Sequence, residues 1–141
     1  MNEEYFEILL KLAKKASKKN EVPISALIVK DGKIISKAYN KRERNNNVLD
    51  HAEIIAIKKA SKKLKDWRLF DCDLYVTLKP CGICENVIKQ SRISNVYYLL
   101  DKPENKKEYF KTKISKTNIC TYEQMYKVIL TNFFQKKRDK K

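Results

Sequence analysis

The stretch Leu74-Tyr-Val-Thr-Leu-Lys-Pro-Cys-Gly-Ile-Cys84 joins a run of strand-forming residues to a sequence that favours the start of a helix. Its first five residues are aliphatic, aromatic or β-branched, which favours a strand. Proline is common at the first position of a helix, so we expect a helix from Cys81 to about Arg92. Residues three apart share one face of a helix, and the Cys81 and Cys84 thiols should therefore lie together in its first turn.

Apolar patterning on either side of this stretch predicts further strands and helices. The first twenty residues repeat apolar positions at helical spacing, and residues 22–29 are apolar on both faces, as in a central strand. Asp31-Gly32 is a hairpin turn signal, so a second strand should return over residues 33–39. The remaining predicted elements are a helix over 51–64, a strand over 96–100 and a basic C-terminal helix and tail over about 122–141. This alternation indicates an α/β fold with a mixed sheet and helices on both faces.

Length and composition favour a single cytoplasmic domain over residues 1–141. No run approaches the roughly 20 apolar residues of a membrane span, and four cysteines without a secretory signal favour reduced thiols. The formal net charge of +15 suits a polyanionic partner. The chain is also rich in Lys, Ile and Asn, a bias that an AT-rich genome would impose on any protein and that would produce a similar charge. Cys72 and Cys120 stand alone, and we interpret both as small buried apolar residues.

A single C-x-x-C motif is compatible with a redox dithiol, a structural zinc ribbon or a catalytic metal site. A ribbon would need a second C-x-x-C motif, which the sequence lacks. The one histidine, His51, and the acidic Glu53 form an H-x-E motif at the start of another predicted helix. One nitrogen and two sulfurs make a three-ligand set, and catalytic zinc sites keep a fourth position for water. We predict that His51, Cys81 and Cys84 bind Zn²⁺, with the helix N-terminus lowering the pKa of both thiols.

Glu53 has two alternative roles. With Asp50 as the N-cap of the helix, Glu53 would complete a capping pair. Alternatively it moves protons, because H-x-E followed by P-C-x-x-C is the pattern of zinc-dependent nucleobase deaminases. In such enzymes zinc lowers the pKa of water from ~15.7 towards ~7, and one carboxylate passes protons to the base and to the departing ammonia. A metalloprotease would need H-E-x-x-H, which the sequence does not contain.

Similarity to a known family extends well beyond these motifs. The similar segments are Glu21-Val-Pro-Ile-Ser-Ala-Leu-Ile-Val29, Tyr39-Asn40, Asp50-His-Ala-Glu-Ile54, Asp66-Trp-Arg-Leu69, Leu74 to Cys81, Ser91-Arg-Ile93 and Phe133-Phe-Gln-Lys-Lys-Arg138. In them the chain resembles the bacterial tRNA-specific adenosine deaminases. The resemblance implies a cytidine deaminase-like three-layer α-β-α sandwich with a mixed five-stranded sheet. It also implies hydrolysis of adenosine to inosine at wobble position 34 of tRNA anticodons, by a homodimer with one Zn²⁺ per subunit.

The same resemblance implies roles for residues outside the metal site. Asn40 matches the asparagine that hydrogen-bonds the flipped base, and Val22 and Pro23 match the apolar wall of the base pocket. Ala52 and Asp101 match further substrate contacts. The C-terminal helix and tail match the surface that meets the anticodon stem-loop, where stacking and phosphate contacts are needed. Without the resemblance, Asn40 would be a turn residue, and Val22 and Pro23 would be packed strand residues.

Three features differ from the usual pattern of that family. Ser25 stands where glycine is usual, Lys79 where glutamate is usual, and residues 99–110 replace a segment of small residues. An alternative function is therefore a small-molecule deaminase of the same fold, acting on guanine, cytosine or a nucleotide. Another alternative is a non-catalytic RNA-binding subunit, which would have lost the catalytic glutamate that Glu53 provides here.

Overall fold

The computed structural model of the chain describes residues 3–102 and 111–139. These residues form the elements α1 (Glu3–Lys18), β1 (Ser25–Lys30), β2 (Lys33–Tyr39), α2 (Ala52–Leu64), β3 (Cys72–Leu78), α3 (Gly82–Gln90), β4 (Asn95–Leu100) and α4 (Cys120–Asp139). The strands form one mixed sheet in the order β2-β1-β3-β4. Strand β1 is antiparallel to both of its neighbours, and β4 is parallel to β3. The predicted order of strands and helices is confirmed.

The central strand β1 separates two apolar layers, because successive side chains point to opposite faces of a sheet. Ala26 and Ile28 belong to a core cluster that also contains buried residues of α2 and α3. Leu27 and Val29 belong to a second cluster, with Leu9 of α1. Helix α1 therefore covers one face of the sheet, and α2 and α3 cover the other. The predicted α-β-α layering is confirmed.

The described residues contain four strands and not the five that the family resemblance implied. Residues 111–119 form neither helix nor strand. Their sequence, Lys-Thr-Lys-Ile-Ser-Lys-Thr-Asn-Ile, has only two apolar residues, which are too few to cover one face of a core. Residues 103–110, part of the divergent segment 99–110, lie outside the described residues.

Local backbone chemistry sets both ends of the first strand. Strand β1 begins at Ser25 and not at residue 22 as predicted, because Pro23 has no N–H group to offer a neighbouring strand. At the other end, Asp31 and Gly32 have positive φ angles of 51° and 74°. Two consecutive positive φ angles are typical of the tight two-residue turns that join antiparallel strands, which confirms the predicted hairpin.

Helix α4 belongs to the second of two compact units, which comprise residues 1–104 and residues 105–141. It has 20 residues, and its last turn contains Lys136, Lys137 and Arg138. A basic C-terminal helix is therefore present as predicted, while Lys140 and Lys141 of the predicted tail lie outside the described residues. The single domain over residues 1–141 stays a prediction. None of the helices in the described part of the chain combines the length and apolar character needed to cross a membrane.

The two isolated cysteines differ in burial. Cys72, at the start of β3, is fully buried as predicted, and this burial raises the pKa of its thiol. Cys120 is exposed, so the prediction that it is buried is wrong. The reason is its position at the start of α4, a helix whose described side chains are all exposed.

Leu9 and Leu10 of α1 offer a matched test of this packing. Leu9 has no exposed surface, whereas Leu10 is 52 % exposed. We expect Leu9→Ala to lower the free energy of unfolding by about 2–5 kcal/mol, because it leaves a cavity between α1 and the sheet. Leu10→Ala should change it by less than about 0.5 kcal/mol. Urea denaturation followed by circular dichroism measures both values, and equal losses would contradict the placement of α1.

Candidate metal centre and active site

The N-termini of α2 and α3 come together at one edge of the sheet. His51 and Cys81 are the N-cap residues of these helices, and both have extended backbone conformations. Helix α3 follows β3 after a short connection, so its first turn lies at the carboxyl end of that strand. Helix α2 packs against β1, β2 and α3, which brings its first turn to the same place. The fold therefore joins the H-x-E and P-C-x-x-C motifs.

The three predicted metal ligands are close enough to share one ion. The His51 Nδ1 atom lies 3.9 Å from the Cys81 Sγ atom and 3.5 Å from the Cys84 Sγ atom. All three ligand atoms lie within 4.8 Å of one another, and no other group of three such side chains occurs in the described residues. A tetrahedral zinc ion, with bonds of ~2.0–2.1 Å to nitrogen and ~2.3 Å to sulfur, requires N–S separations of about 3.6 Å. The donor set and its spacing fit zinc with one position left for another ligand.

Cys84 is the most buried of the three ligands. Burial, followed by the negative charges of Glu53 and Cys81, raises the pKa of the Cys84 thiol. The expectation that the helix N-terminus lowers this pKa is therefore wrong for Cys84, because the loss of solvent outweighs the helix dipole there. A coordinated cation reverses this balance, since a metal-bound thiol loses its proton. A cation bound at this site would therefore convert the Cys84 thiol into a thiolate ligand.

Glu53 lies in the first turn of α2 and is 4 % exposed. Its carboxyl group and the Cys84 thiol are close enough to shift each other's pKa, which places Glu53 beside the predicted metal ligands. Burial raises the pKa of the Glu53 carboxyl, while its interactions with its own backbone N–H and with Cys84 partly offset that rise. A carboxyl group with a raised pKa is suited to exchanging protons near neutral pH.

The capping pair of Asp50 and Glu53 that the sequence suggested is not formed. The N-cap of α2 is His51 and not Asp50, and the His51 side chain makes no capping hydrogen bond. The Asp50 carboxylate accepts a hydrogen bond from Asn45 Nδ2 at 2.7 Å and lies 3.8 Å from the Lys58 ammonium. Asp50 therefore stabilises the loop before α2 and does not cap the helix, and proton transfer by Glu53 stays a prediction.

Asn40, Val22 and Pro23 lie close together in the fold, as the resemblance requires of one pocket. Asn40 follows β2, is 4 % exposed, and donates its backbone N–H to the carbonyl of Ile24 at 3.0 Å. This bond places it within two residues of Val22 and Pro23, which precede β1. Both of these side chains are exposed, so the alternative that they are packed strand residues is wrong.

Asp101 and Ala52 differ in how much surface they offer a substrate. Asp101 follows β4, is exposed, and accepts a hydrogen bond from the Tyr98 hydroxyl at 3.0 Å. The Lys79 N–H donates to the Leu100 carbonyl at 3.0 Å, which keeps Asp101 near the P-C-x-x-C motif. Ala52 is fully buried in the core, so its methyl group is not accessible to a ligand. The substrate contacts of these residues stay predictions.

One buried acidic residue, Glu21, was not expected from the sequence. It is 4 % exposed, and its carboxylate accepts hydrogen bonds from the N–H groups of Glu43 and Arg44. Its position after the Lys-Lys-Asn end of the first predicted helix is typical of a solvated surface residue. No local pattern indicated its burial, because the groups that bind it lie more than twenty residues further along the chain.

Comparison with known proteins relates the chain to deaminases. A model of the family described as MafB19-like deaminase matches residues 1–138. A tRNA-specific adenosine deaminase of Aquifex aeolicus is 47 % identical over 104 residues, which cover 72 % of this chain and 69 % of that protein. A second protein of that name, from Rickettsia bellii, is 39 % identical over 141 residues, which cover 92 % of this chain and 97 % of the relative.

Two solved structures show the same fold. A tRNA:A34 deaminase from a study of A-to-I editing at the wobble position of transfer RNA has a TM-score of 0.72 and 39 % identity, over 73 % of this chain and 75 % of that one. Guanine deaminase from Bacillus subtilis also has a TM-score of 0.72, with 28 % identity, over 90 % of this chain and 94 % of that one.

Metal content tests the ligand set directly. Purified protein should contain about one zinc ion per chain, and Cys84→Ala should lose most of it, because two ligands hold zinc far more weakly than three. Cys72→Ala is the matched control, since it also removes a fully buried thiol but one that lies outside the ligand group. Elemental analysis by mass spectrometry gives the stoichiometry. Full zinc retention in Cys84→Ala would exclude this ligand set.

Proposed function

Since this chain belongs to the MafB19-like deaminases and to the family of the tRNA-specific adenosine deaminases, we propose that it hydrolyses adenosine to inosine at wobble position 34 of tRNA anticodons. The chain is an enzyme, and the observation on which the proposal rests is the buried carboxyl of Glu53 beside a His-Cys-Cys donor set. We assign His51, Cys81 and Cys84 to one Zn²⁺ ion and Glu53 to proton transfer.

In the proposed reaction, adenosine and one water molecule give inosine and ammonia. Zinc bound by the three ligands would supply Lewis acidity, which lowers the pKa of water from ~15.7 towards ~7. Glu53 accepts one proton of the water and delivers it to N1 of the adenine ring. It then transfers the second proton to the departing amino group, so that the oxygen stays on C6. One carboxyl must be charged and neutral in turn, and the burial that raises the pKa of Glu53 favours this alternation.

The base pocket that we propose lies beside Glu53. An enzyme that acts on a base within a folded nucleic acid must turn that base out of its stack and hold it by hydrogen bonds and apolar contacts. The Asn40 amide offers both a donor and an acceptor, and the exposed Val22 and Pro23 offer an apolar wall. Asp101 is accessible at the same edge of the sheet, whereas the burial of Ala52 gives no support to a contact through its side chain.

A polyanionic substrate suits the chemistry of the chain. Its net charge is +15, and α4 combines basic residues in its last turn with Phe133 and Phe134, which are 53 % and 56 % exposed. Unpaired bases of RNA loops stack on aromatic rings, while the phosphates bind cationic side chains. We therefore assign part of the anticodon stem-loop contact to α4 and the basic tail. A homodimer and a cytoplasmic location belong to the same proposal and are supported by the resemblance.

A small-molecule deaminase is the second candidate function. The observation that favours it is the likeness to the guanine deaminase, which covers more of this chain than the tRNA:A34 deaminase does. Both candidates use the same metal ligands and the same proton carrier. They differ in where the binding energy comes from, since a free base offers neither phosphates nor neighbouring bases.

Replacing Glu53 tests its catalytic role. Glu53→Gln keeps the size of the side chain but cannot exchange protons, so turnover should fall by at least ~10²–10⁴-fold while zinc content stays unchanged. Glu85→Gln is the matched control, because Glu85 lies in the first turn of α3 and is exposed in an ion pair with Lys89 at 3.1 Å. Release of ammonia and metal analysis give the two readouts. If Glu53→Gln kept its turnover and only lost thermal stability, the carboxyl would be structural.

Substrate preference separates the two candidate functions. We expect a tRNA anticodon stem-loop with adenosine at the wobble position to be deaminated far faster than free adenosine, guanine or cytosine. The reason is that binding energy from the loop holds the target base at the metal. Inosine or ammonia formation at equal substrate concentrations measures the preference. Efficient turnover of guanine, together with an inert stem-loop, would select the small-molecule enzyme.

Salt dependence is the control for this assay. Binding of the stem-loop should weaken steeply as salt rises, because each neutralised phosphate releases counterions. Removal of residues 136–141 should flatten that dependence and leave the zinc content unchanged. An unchanged salt dependence in the shortened chain would show that the basic tail does not contact the RNA.

A further inference from the structure

Glu21 is a buried carboxylate with two well-formed hydrogen bonds. Its Oε1 atom accepts the backbone N–H of Glu43 at 3.1 Å, and its Oε2 atom accepts that of Arg44 at 2.8 Å. The residue is only 4 % exposed. A charge without solvent is costly unless such bonds satisfy it, and hydrogen bonds to an ionised acceptor are stronger than those between neutral groups. Glu21 therefore holds two consecutive residues of the following loop firmly in place.

The backbone of Glu21 is fixed independently of this loop. Asn20 has a positive φ of 60° and ends α1, with its N–H donated to the Ser17 carbonyl at 3.1 Å. The Glu21 N–H donates to the Ala16 carbonyl at 3.0 Å. This pair of bonds is the Schellman arrangement that closes many helices. Helix α1 packs on the sheet through the buried Leu9. The position of the Glu21 backbone is therefore fixed relative to the sheet.

The anchored loop leads directly to a predicted metal ligand. It runs from Lys41 to Asp50, and the Lys41 N–H closes it by donating to the Asp50 carbonyl at 2.9 Å. Asn45 Nδ2 donates to the Asp50 carboxylate at 2.7 Å, which ties the turn next to Arg44 to the end of the loop. His51 is the next residue. Hydrogen bonds, together with the peptide chain between them, thus connect the Glu21 carboxylate with the backbone that positions the His51 imidazole.

We propose that Glu21 is a positioning residue of the metal centre, acting on His51 through the loop 41–50. Loss of its carboxylate leaves two N–H groups unsatisfied, and the loop must shift to hydrate them. Such a shift moves the His51 imidazole relative to the two thiols, which belong to α3 and stay in place. The proposal rests on the zinc site of the proposed function but not on the identity of the substrate.

Zinc affinity of the full chain is the measurement that tests this role. Glu21→Gln keeps the size of the side chain, but its amide nitrogen cannot accept the second N–H. We expect this variant to bind zinc about tenfold more weakly in competition with a chromophoric chelator. The visible spectrum of the Co²⁺-substituted protein should change as well.

Ser91→Ala is the control for this measurement. It removes a buried hydroxyl that donates to the Val87 carbonyl at 2.7 Å, at the end of α3 that is far from the thiols. Its zinc affinity and Co²⁺ spectrum should match those of the unmodified chain.

A double-mutant cycle with Asp50→Asn tests the path through the loop. The losses of zinc affinity from Glu21→Gln and Asp50→Asn should be less than additive, because both act on the same loop. Additive losses would overturn the path through Asp50.

Unchanged zinc affinity in Glu21→Gln, or an equal loss of zinc affinity in Ser91→Ala, would overturn the proposal itself. Absence of zinc from the unmodified chain would instead refute the proposed metal site, and a zinc-loaded chain without inosine formation would refute only the proposed substrate.

Discussion

The close approach of α2 to the sheet is the constraint on which the site depends. Ala52, Ala56 and Ala60 recur every fourth residue, form one stripe of the helix and are fully buried. Because alanine presents only a methyl group, the helix backbone comes near enough for the Ser36 hydroxyl of β2 to donate to the Ala56 carbonyl at 2.8 Å. Larger side chains in this stripe would force the helix outward. Its first turn would then take His51 and Glu53 away from the thiols of α3.

Two acidic groups that resist ionisation meet beside that turn. Burial raises the pKa of the Cys84 thiol and that of the Glu53 carboxyl, and the charge of Glu53 further disfavours ionisation of Cys84. A site of this kind is poorly suited to hold two negative charges by itself, and a divalent cation compensates for both. The low polarity that makes an isolated charge costly also strengthens its attraction to a metal ion. The proposed metal binding and the proposed proton exchange therefore both depend on this burial.

The site combines a rigid half with a half that depends on a polar loop. Strand β3 and helix α3 position Cys81 and Cys84 through the sheet and the core. His51 and Asn40 stand at the two ends of the segment that joins β2 to α2, and polar residues dominate that segment. Its shape depends on hydrogen bonds of Glu21 and Asp50 to backbone and side-chain N–H groups. Functional residues often lie on loops that a rigid scaffold positions, and here the scaffold acts through a buried carboxylate.

The sequence by itself determined the local elements and the types of the metal ligands. The strand-to-helix junction at Leu74 to Cys84 and the Asp31-Gly32 turn depend on neighbouring residues, so propensity and spacing predicted them. The H-x-E and P-C-x-x-C motifs likewise identified which side chains to consider, and the structure brings His51 to within 3.5 Å of Cys84. Sequence reasoning was wrong about the direction of the Cys84 pKa, the N-cap position of Asp50, the exposure of Cys120 and the number of strands in the described residues. It also did not predict the burial of Glu21. Only the tertiary structure decided the burial of Cys84 and Glu21, because desolvation and hydrogen bonding between segments twenty or more residues apart arise from how the helices and the loop before α2 pack on the sheet.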